Sequence, residues 1–418
     1  MEEVLRLREP NRKQMILQPT DIDGLIEADH PARAIWRVLE KMDLSRFCEG
    51  IRAREGIAGR DANHPRMLMA LWLYAISQGV NSAREIERLC GVHAAYRWIC
   101  GGISVNYHSL SDFRSAHHEA LDELMSQVLA ALMERGLISL ERVAQDGTRV
   151  RASAGAASFR RKARLKACLK AAREHICRLA AEADSPEASA RSQAAQKRAA
   201  AEREQRLEQA LAQLKQLGQR RAQAKNHPQR SNPARASSTD PEARVMKMAN
   251  GGFNPAYNVQ LATDTDSRMI VGVRVTNSGS DSQQLQPMLA EIKRRTGQLP
   301  RQHLADSGYL NFSSIEQATA QGIELLVPLR EHRDYVDPHQ GQPRDGPAVA
   351  DLRRRMGSDE GRQIYQTRAA TAETVNADLR TRRGLGRLLL RGSGKVLIAA
   401  LWSALTYNLV HAINLGWL

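Results

Sequence analysis

The sequence is poor in aromatic residues, 4% of 418, and has only five cysteines. It also has no uninterrupted apolar run as long as a membrane span. Cys48, Cys90, Cys100, Cys168 and Cys177 are scattered without a C-x2-C pair, which argues against zinc-ribbon spacing and a disulfide framework and leaves reduced thiols. The most apolar stretch, "VLIAALWSALTYNLV" at 396–410, falls short of a span and carries Ser, Thr and Asn, so a buried helix is expected there. The opening "MEEVLRLREPNRKQ" has charges where a signal peptide has its apolar segment, and a cytoplasmic protein is expected. So few aromatics also count against base-stacking platforms; Trp72, Tyr96 and Trp98 fit core positions.

Negative charge is scarce as well. Asp and Glu number 46 against 61 Lys and Arg, a formal net charge of +15. Such an excess favours a polyanionic partner, with nucleic acid foremost. A membrane surface would attract cations too, but no basic helix shows the large aromatic or leucine face that such binding uses.

What is present is organised by a change of period. Up to about residue 140 the apolar residues recur at three- and four-residue steps, as in "HPARAIWRVLEKM", "HPRMLMALWLYAISQG" and "SDFRSAHHEALDELMSQVLAALMERG". Ser82 and Ser111 are expected to start helices, and Gly79, Gly91 and Gly101 to end them. Short helices with tight turns suit a helix-turn-helix or an ordinary helical bundle equally. An apolar strand then reaches Asp146, with a turn expected at Gly147.

From about 159 to 224 the chain is rich in Ala, Arg, Lys, Gln and Glu. Leu165, Leu169, Ala172, Ile176 and Leu179, and again Leu207, Ala210, Leu214 and Leu217, mark a two-helix hairpin with a basic outer surface, turning at "EADSPEAS" and followed by a polar linker. Strand signals resume with "YNVQLATD" and "RMIVGVRVT", a β-hairpin in which Asp264 and Asp266 belong to the turn. A helix follows, with Asp281 as its expected cap, then a short strand delivering Asp306, another helix and the buried strand "IELLVPLR". This order predicts an α+β or α/β fold, one mixed sheet covered by helices and interrupted by the helical hairpin.

Three carboxylates stand out. Asp146 and Asp306 sit at expected strand ends, where side chains of an α/β sheet meet ligands, although an aspartate before Gly or Ser also serves simply to cap a turn. Glu373 lies in "YQTRAATAETVNADLRTRRG". At roughly 100° per residue a helix there gathers Tyr365, Arg368, Glu373, Asn376 and Arg380 on an arc of roughly 140°, which is either a solvated charged face or part of a site. Converging carboxylates need a cation between them, and hard oxygen ligands without a Cys cluster favour Mg²⁺ or Mn²⁺. Two such ions roughly 4 Å apart can serve phosphodiester displacement.

In this order, "VAQDGTRVRASAG", "GGFNPAYNVQLATD", "LADSGYLN" and "YQTRAATAETVNADLRTRRGLGRLLLRG" resemble the catalytic segments of DDE transposases from bacterial insertion sequences, the branch with a Tyr-Arg-Glu-Lys signature. The resemblance extends to "HPRMLMALWLYAISQG" and "HSLSDFR" and so covers nearly the whole chain. It implies a ribonuclease-H-like catalytic fold with Asp146, Asp306 and Glu373 as catalytic carboxylates holding Mg²⁺ or Mn²⁺ as two ions. It also implies that Tyr365, Arg368 and Arg380 assist Glu373 and contact the DNA backbone, Arg380 standing where the family has Lys. Arg383, Arg387 and Arg391 would continue the phosphate track.

The implied partners are double-stranded DNA, both element ends and target, and at least a second copy of the chain to pair two ends. The implied activity is binding of terminal inverted repeats, cleavage and strand transfer in a bacterial, nucleoid-associated setting. Rival readings are a non-catalytic DNA-binding protein and a metal-dependent nuclease without strand transfer. The expected divisions are a helical DNA-binding or dimerisation domain at 1–140 and the first catalytic strand at 141–158. The hairpin insertion with its linker follows at 159–244, and the rest of the catalytic domain with its C-terminal helices at 245–418.

Overall fold

The structure is a computed structural model that describes residues 13, 21–53, 58, 61–181, 190–223, 233–329, 337–343 and 345–417. The hairpin turn expected at 182–189, the first part of the linker and nearly all of the opening stretch lie outside the described residues.

The N-terminal third is helical, as its period indicates: α1 (Pro31–Glu40), α2 (Pro65–Ser77), α3 (Ala83–Val92), α4 (Ala94–Cys100), α5 (Tyr107–Ala116) and α6 (His118–Glu134). Histidine sets three of the starts. His30, His64 and His93 each accept at Nδ1 the amide two residues on, at 3.1, 3.1 and 3.2 Å, and Pro31 and Pro65 then take the first helical position. Ser82 caps α3 as expected, but Ser111 lies inside α5, whose cap is Asn106 bonded to the Ser109 amide at 2.8 Å. Gly79 and Gly101 follow helix ends with φ of +76° and +55°, whereas Gly91 sits within α3.

The sheet begins with β1 (Arg142–Arg151). The insertion follows as β2 (Phe159–Arg160), α7 (Lys162–Ala181), α8 (Ala190–Gln223) and β3 (Ala236–Ser237). β2 and β3 pair antiparallel and clasp its base, while Leu165 and Ala172 of α7 pack on Leu207, Ala210 and Leu214 of α8. The chain continues through β4 (Arg244–Lys247), β5 (Phe253–Asp264), β6 (Ile270–Thr276), α9 (Leu285–Thr296), β7 (Gln302–Leu304), α10 (Phe312–Ala320) and β8 (Glu324–Leu326). It ends with α11 (Pro347–Gly357), α12 (Asp359–Arg368), a π turn at Ala369–Glu373, α13 (Thr374–Thr381) and α14 (Ser393–Asn414).

β5 pairs antiparallel with β1 on one side and with β4 and β6 on the other; β1 then pairs parallel with β7, and β7 with β8. Across the sheet the order is β6-β5-β1-β7-β8, three antiparallel strands followed by two parallel ones, which is the ribonuclease-H-like arrangement. The turn expected after Asp146 is absent. β1 runs on through Gly147 and pairs with β5 from Val143 opposite Asp264 to Arg151 opposite Ala256. Gly147 is there for close approach: a Cβ on it would stand 2.4 Å from Gln260 Nε2, 2.7 Å from Asp281 Oδ1 and 2.8 Å from Asn258 Oδ1.

At 22 residues α14 is long and apolar enough to cross a membrane, a correction to the shorter stretch read from the sequence, but 72% of its most apolar window is buried inside the fold. Leu401, Trp402, Leu405 and Leu409 share a core with the N-terminal helices and the sheet, and burying each such side chain is worth roughly 1.5–3 kcal/mol. One of the polar residues in this helix has a structural use: the Asn408 amide accepts from the Ile270 N–H and donates to the Ile270 carbonyl, both at 2.8 Å, and so ties α14 to the start of β6. One core therefore joins the helical third to β1, β5 and β6, while β7 and β8 pack in a second core with α10 and α11.

Candidate active site

β1 and β7 run parallel with Ala144 beside Leu304, so Asp146 and Asp306, each two residues further on, leave adjacent strands at the same level. Neighbouring strands lie roughly 4.8 Å apart, and both carboxylates are thus delivered to one end of the parallel pair. Asp306 Oδ1 also accepts the Gly308 amide at 2.7 Å and caps the tight turn that follows.

The third carboxylate arrives by an irregular helix. In an α-helix residues i and i+5 stand roughly 140° apart, whereas a π turn, with its wider i to i+5 hydrogen bonding, brings them much closer in angle. The π turn between α12 and α13 does this for Arg368 and Glu373, which meet at 3.1 Å through Arg368 Nη1 and Glu373 Oε1. Arg368 Nη2 donates to Asp146 Oδ1 at 3.1 Å, and Asn376 Nδ2 donates to Asp146 Oδ2 at 2.8 Å. One guanidinium therefore bridges two of the three carboxylates. The Arg368 side chain turns inward, 10% exposed, while Glu373 remains 57% exposed.

Burial raises the Asp146 carboxyl above its ordinary range, Arg368 pulls it down, Asp306 pushes it up again, and burial prevails. Burial likewise works against the Arg368 charge, yet Asp146, Tyr365, Asp306 and Glu373 outweigh it and hold the guanidinium above its ordinary value. Tyr365 stands beside Arg368, and burial raises its phenol. Among the described residues no three His, Cys, Asp or Glu side chains converge closely enough to hold a metal ion as they stand. The donor chemistry nonetheless suits a hard divalent cation: Asp146, Asp306 and Glu373 offer oxygen only, and the Asn376 Oδ1 beside them is buried without a hydrogen-bond partner.

Of the other cations singled out in the sequence, Arg380, Arg387 and Arg391 are exposed, and Arg387 bridges to Arg151 at the far end of β1. Arg383 is half-buried: its Nε holds Asp378 Oδ2 at 2.8 Å and its guanidinium lies 5.6 Å from the Tyr407 ring. Gly384, φ +70°, lets Asn81 of the helical third donate to the Arg383 carbonyl at 3.2 Å, which seats the basic segment on that region.

Sequence reasoning missed the layer behind the carboxylates. Gln145, Gly147 and Arg149 alternate with Asp146 and face the opposite side of the sheet. There the buried Gln145, Asn258, Gln260, His303 and Tyr309 form a hydrogen-bonded network. Tyr309, in the turn after Asp306, donates to Gln260 Oε1, which also accepts from Gln145 Nε2 at 2.9 Å, so the network ties the two aspartate-bearing strands together. Asp281 belongs to it: instead of capping α9 it accepts from Asn258 at 2.6 Å, Gln260 at 2.7 Å and Arg149 at 2.8 Å. The available signal was a pair of amides at period two, Asn258 and Gln260, among the apolar residues in the middle of β5.

Residues 224–409 match the family described as "Transposase DDE domain", and residues 20–116 match the one described as "Transposase domain (DUF772)". The first match contains Asp306 and Glu373 and begins beyond Asp146. No curated protein and no solved structure gives a match. Two transposase domains in sequence, together taking in most of the chain, agree with the strand order and with carboxylates placed on two adjacent strands and a following helix: the chain carries the transposase DDE domain and the transposase domain (DUF772) typical of bacterial insertion-sequence transposases.

Proposed function

We propose that the protein binds the terminal inverted repeats of a bacterial insertion sequence and catalyses metal-dependent cleavage and strand transfer at its ends. The observation that carries this reading is the level placement of Asp146 and Asp306 on adjacent parallel strands, with Glu373 linked to Asp146 through one arginine. Asp146, Asp306 and Glu373 would hold two Mg²⁺ or Mn²⁺ ions, whose chemistry is to activate a water or 3′-hydroxyl and stabilise the leaving oxygen.

The chain's own residues do the rest. Asn376 orients the Asp146 carboxylate. The turn capped by Asp306 fixes that side chain relative to β7. The exposed Arg380, Arg387 and Arg391 track phosphates, and the helical third supplies DNA-end recognition and contacts between copies. Two ends require two sites, so the working form is at least a dimer on double-stranded DNA, in the bacterial cytoplasm.

Glu373→Gln tests the assignment. With DNA carrying the gene's own flanking ends, the variant is expected to bind the ends nearly as wild type does and to make no cuts. Cutting that persists would remove Glu373 from the metal site. End binding by the wild type without cutting would favour a non-catalytic DNA-binding protein, and cutting without joining a nuclease.

A further inference from the structure

Arg368 is the part of the site that metal binding alone leaves unexplained. Its guanidinium spans Asp146 and Glu373 at 3.1 Å each, and its Nε lies buried with no hydrogen-bond partner. Leaving a buried donor unsatisfied is costly, so the anions hold this arginine where its own hydrogen bonding is incomplete. A divalent cation would use the same carboxylate oxygens and repel the guanidinium. A phosphate, in turn, offers an arginine bidentate hydrogen bonds in place of those it gives up.

We infer that Arg368 is an exchangeable counter-ion: it covers Asp146 and Glu373 against divalent cations until a DNA phosphate draws the guanidinium away, so that DNA and metal binding reinforce each other. The inference rests on the reading of Asp146 and Glu373 as metal ligands. With Arg368 in place the three proposed carboxylates share one positive charge; with it on a phosphate they present their full negative charge to the metal. Linkage makes the effect reciprocal: DNA that raises metal affinity by some factor is itself bound more tightly, by the same factor, when metal is present.

The test is Mn²⁺ binding by the full chain, read from the electron paramagnetic resonance of free Mn²⁺, with and without a random-sequence duplex whose own Mn²⁺ uptake is subtracted. Without DNA, Arg368→Gln is expected to bind Mn²⁺ at least about fivefold more tightly than wild type. The duplex should raise wild-type affinity by a similar factor and leave that of Arg368→Gln unchanged. The wild-type arm needs no substitution, so a variant that fails to fold does not remove the test.

Equal or weaker Mn²⁺ binding by a folded Arg368→Gln, or no effect of duplex on wild type, overturns the counter-ion role when Asp146→Asn and Glu373→Gln still weaken binding. If those two variants leave Mn²⁺ binding unchanged, the metal-site reading itself fails and this inference falls with it.

Discussion

Asp146 and Arg368, 222 residues apart in the chain, form a 3.1 Å ion pair at the centre of the site. The sheet places one partner and an irregular helix the other. Much of the behaviour expected of the protein follows from how those two supports are built.

The first support is tight behind Asp146. Gly147→Ala drives a methyl group toward the side-chain amides of Gln260 and Asn258 and the Asp281 carboxylate, a collision that the buried network cannot relieve without losing hydrogen bonds. Overpacking of this kind costs about 1–3 kcal/mol, and thermal or urea unfolding should show a loss of that order. A variant as stable as wild type would mean that the network yields easily.

The succession of strands and helices, the helical hairpin and the helical third were legible in the sequence because each has its own pattern: short strand-like runs in β5 and β6, heptad-like steps in α7 and α8, and three- and four-residue steps before residue 140. The π turn was not. Its residues, "AATAE", have no composition that separates them from an α-helix, and a straight helix drawn through them leaves Arg368 and Glu373 at opposite edges of the arc. Asp281 was misread for a related reason: Asp before a helix is a common cap, and only pairing of distant strands shows that Asn258, Gln260 and Arg149 claim it first. Gly147 likewise read as a turn because the sequence does not show what crowds it.

The same buried layer sets a pH dependence. His303 is buried, with Nε2 facing Gln145 Oε1 at 3.1 Å; an amide oxygen only accepts, so Nε2 carries the proton and donates. Burial lowers its pKa from 6.5 to about 3. The unfolded chain therefore takes up a proton that the folded one refuses. Stability present above pH 6.5 is lost as pH falls toward 3, by at most about 1.4 kcal/mol per pH unit from this group. Urea unfolding of wild type and His303→Gln across that range should show a shallower acid loss in the variant. Parallel curves would assign the acid sensitivity elsewhere.

Arg380 and Arg383, three residues apart, should respond in opposite ways. Arg380 is exposed, and Arg380→Ala should weaken DNA binding and reduce the salt slope by about one, with little change in stability. Arg383 is paired with the half-buried Asp378, so Arg383→Ala should cost about 1–3 kcal/mol of stability and leave the slope nearly unchanged. Binding isotherms at several salt concentrations, with melting curves beside them, separate the two. Reversed results would mean that the basic segment rearranges on DNA.

The central claim, that the carboxylate on β1 serves metal-dependent chemistry at element ends, is tested most directly by mapping 3′-ends. Wild type and Asp146→Asn would be incubated with DNA carrying the gene's own flanking sequences, in Mg²⁺ or in EDTA. Cuts at the element boundary that require Mg²⁺ and vanish in the variant are the expected result. Cuts that survive Asp146→Asn, or that form equally in EDTA, would contradict it.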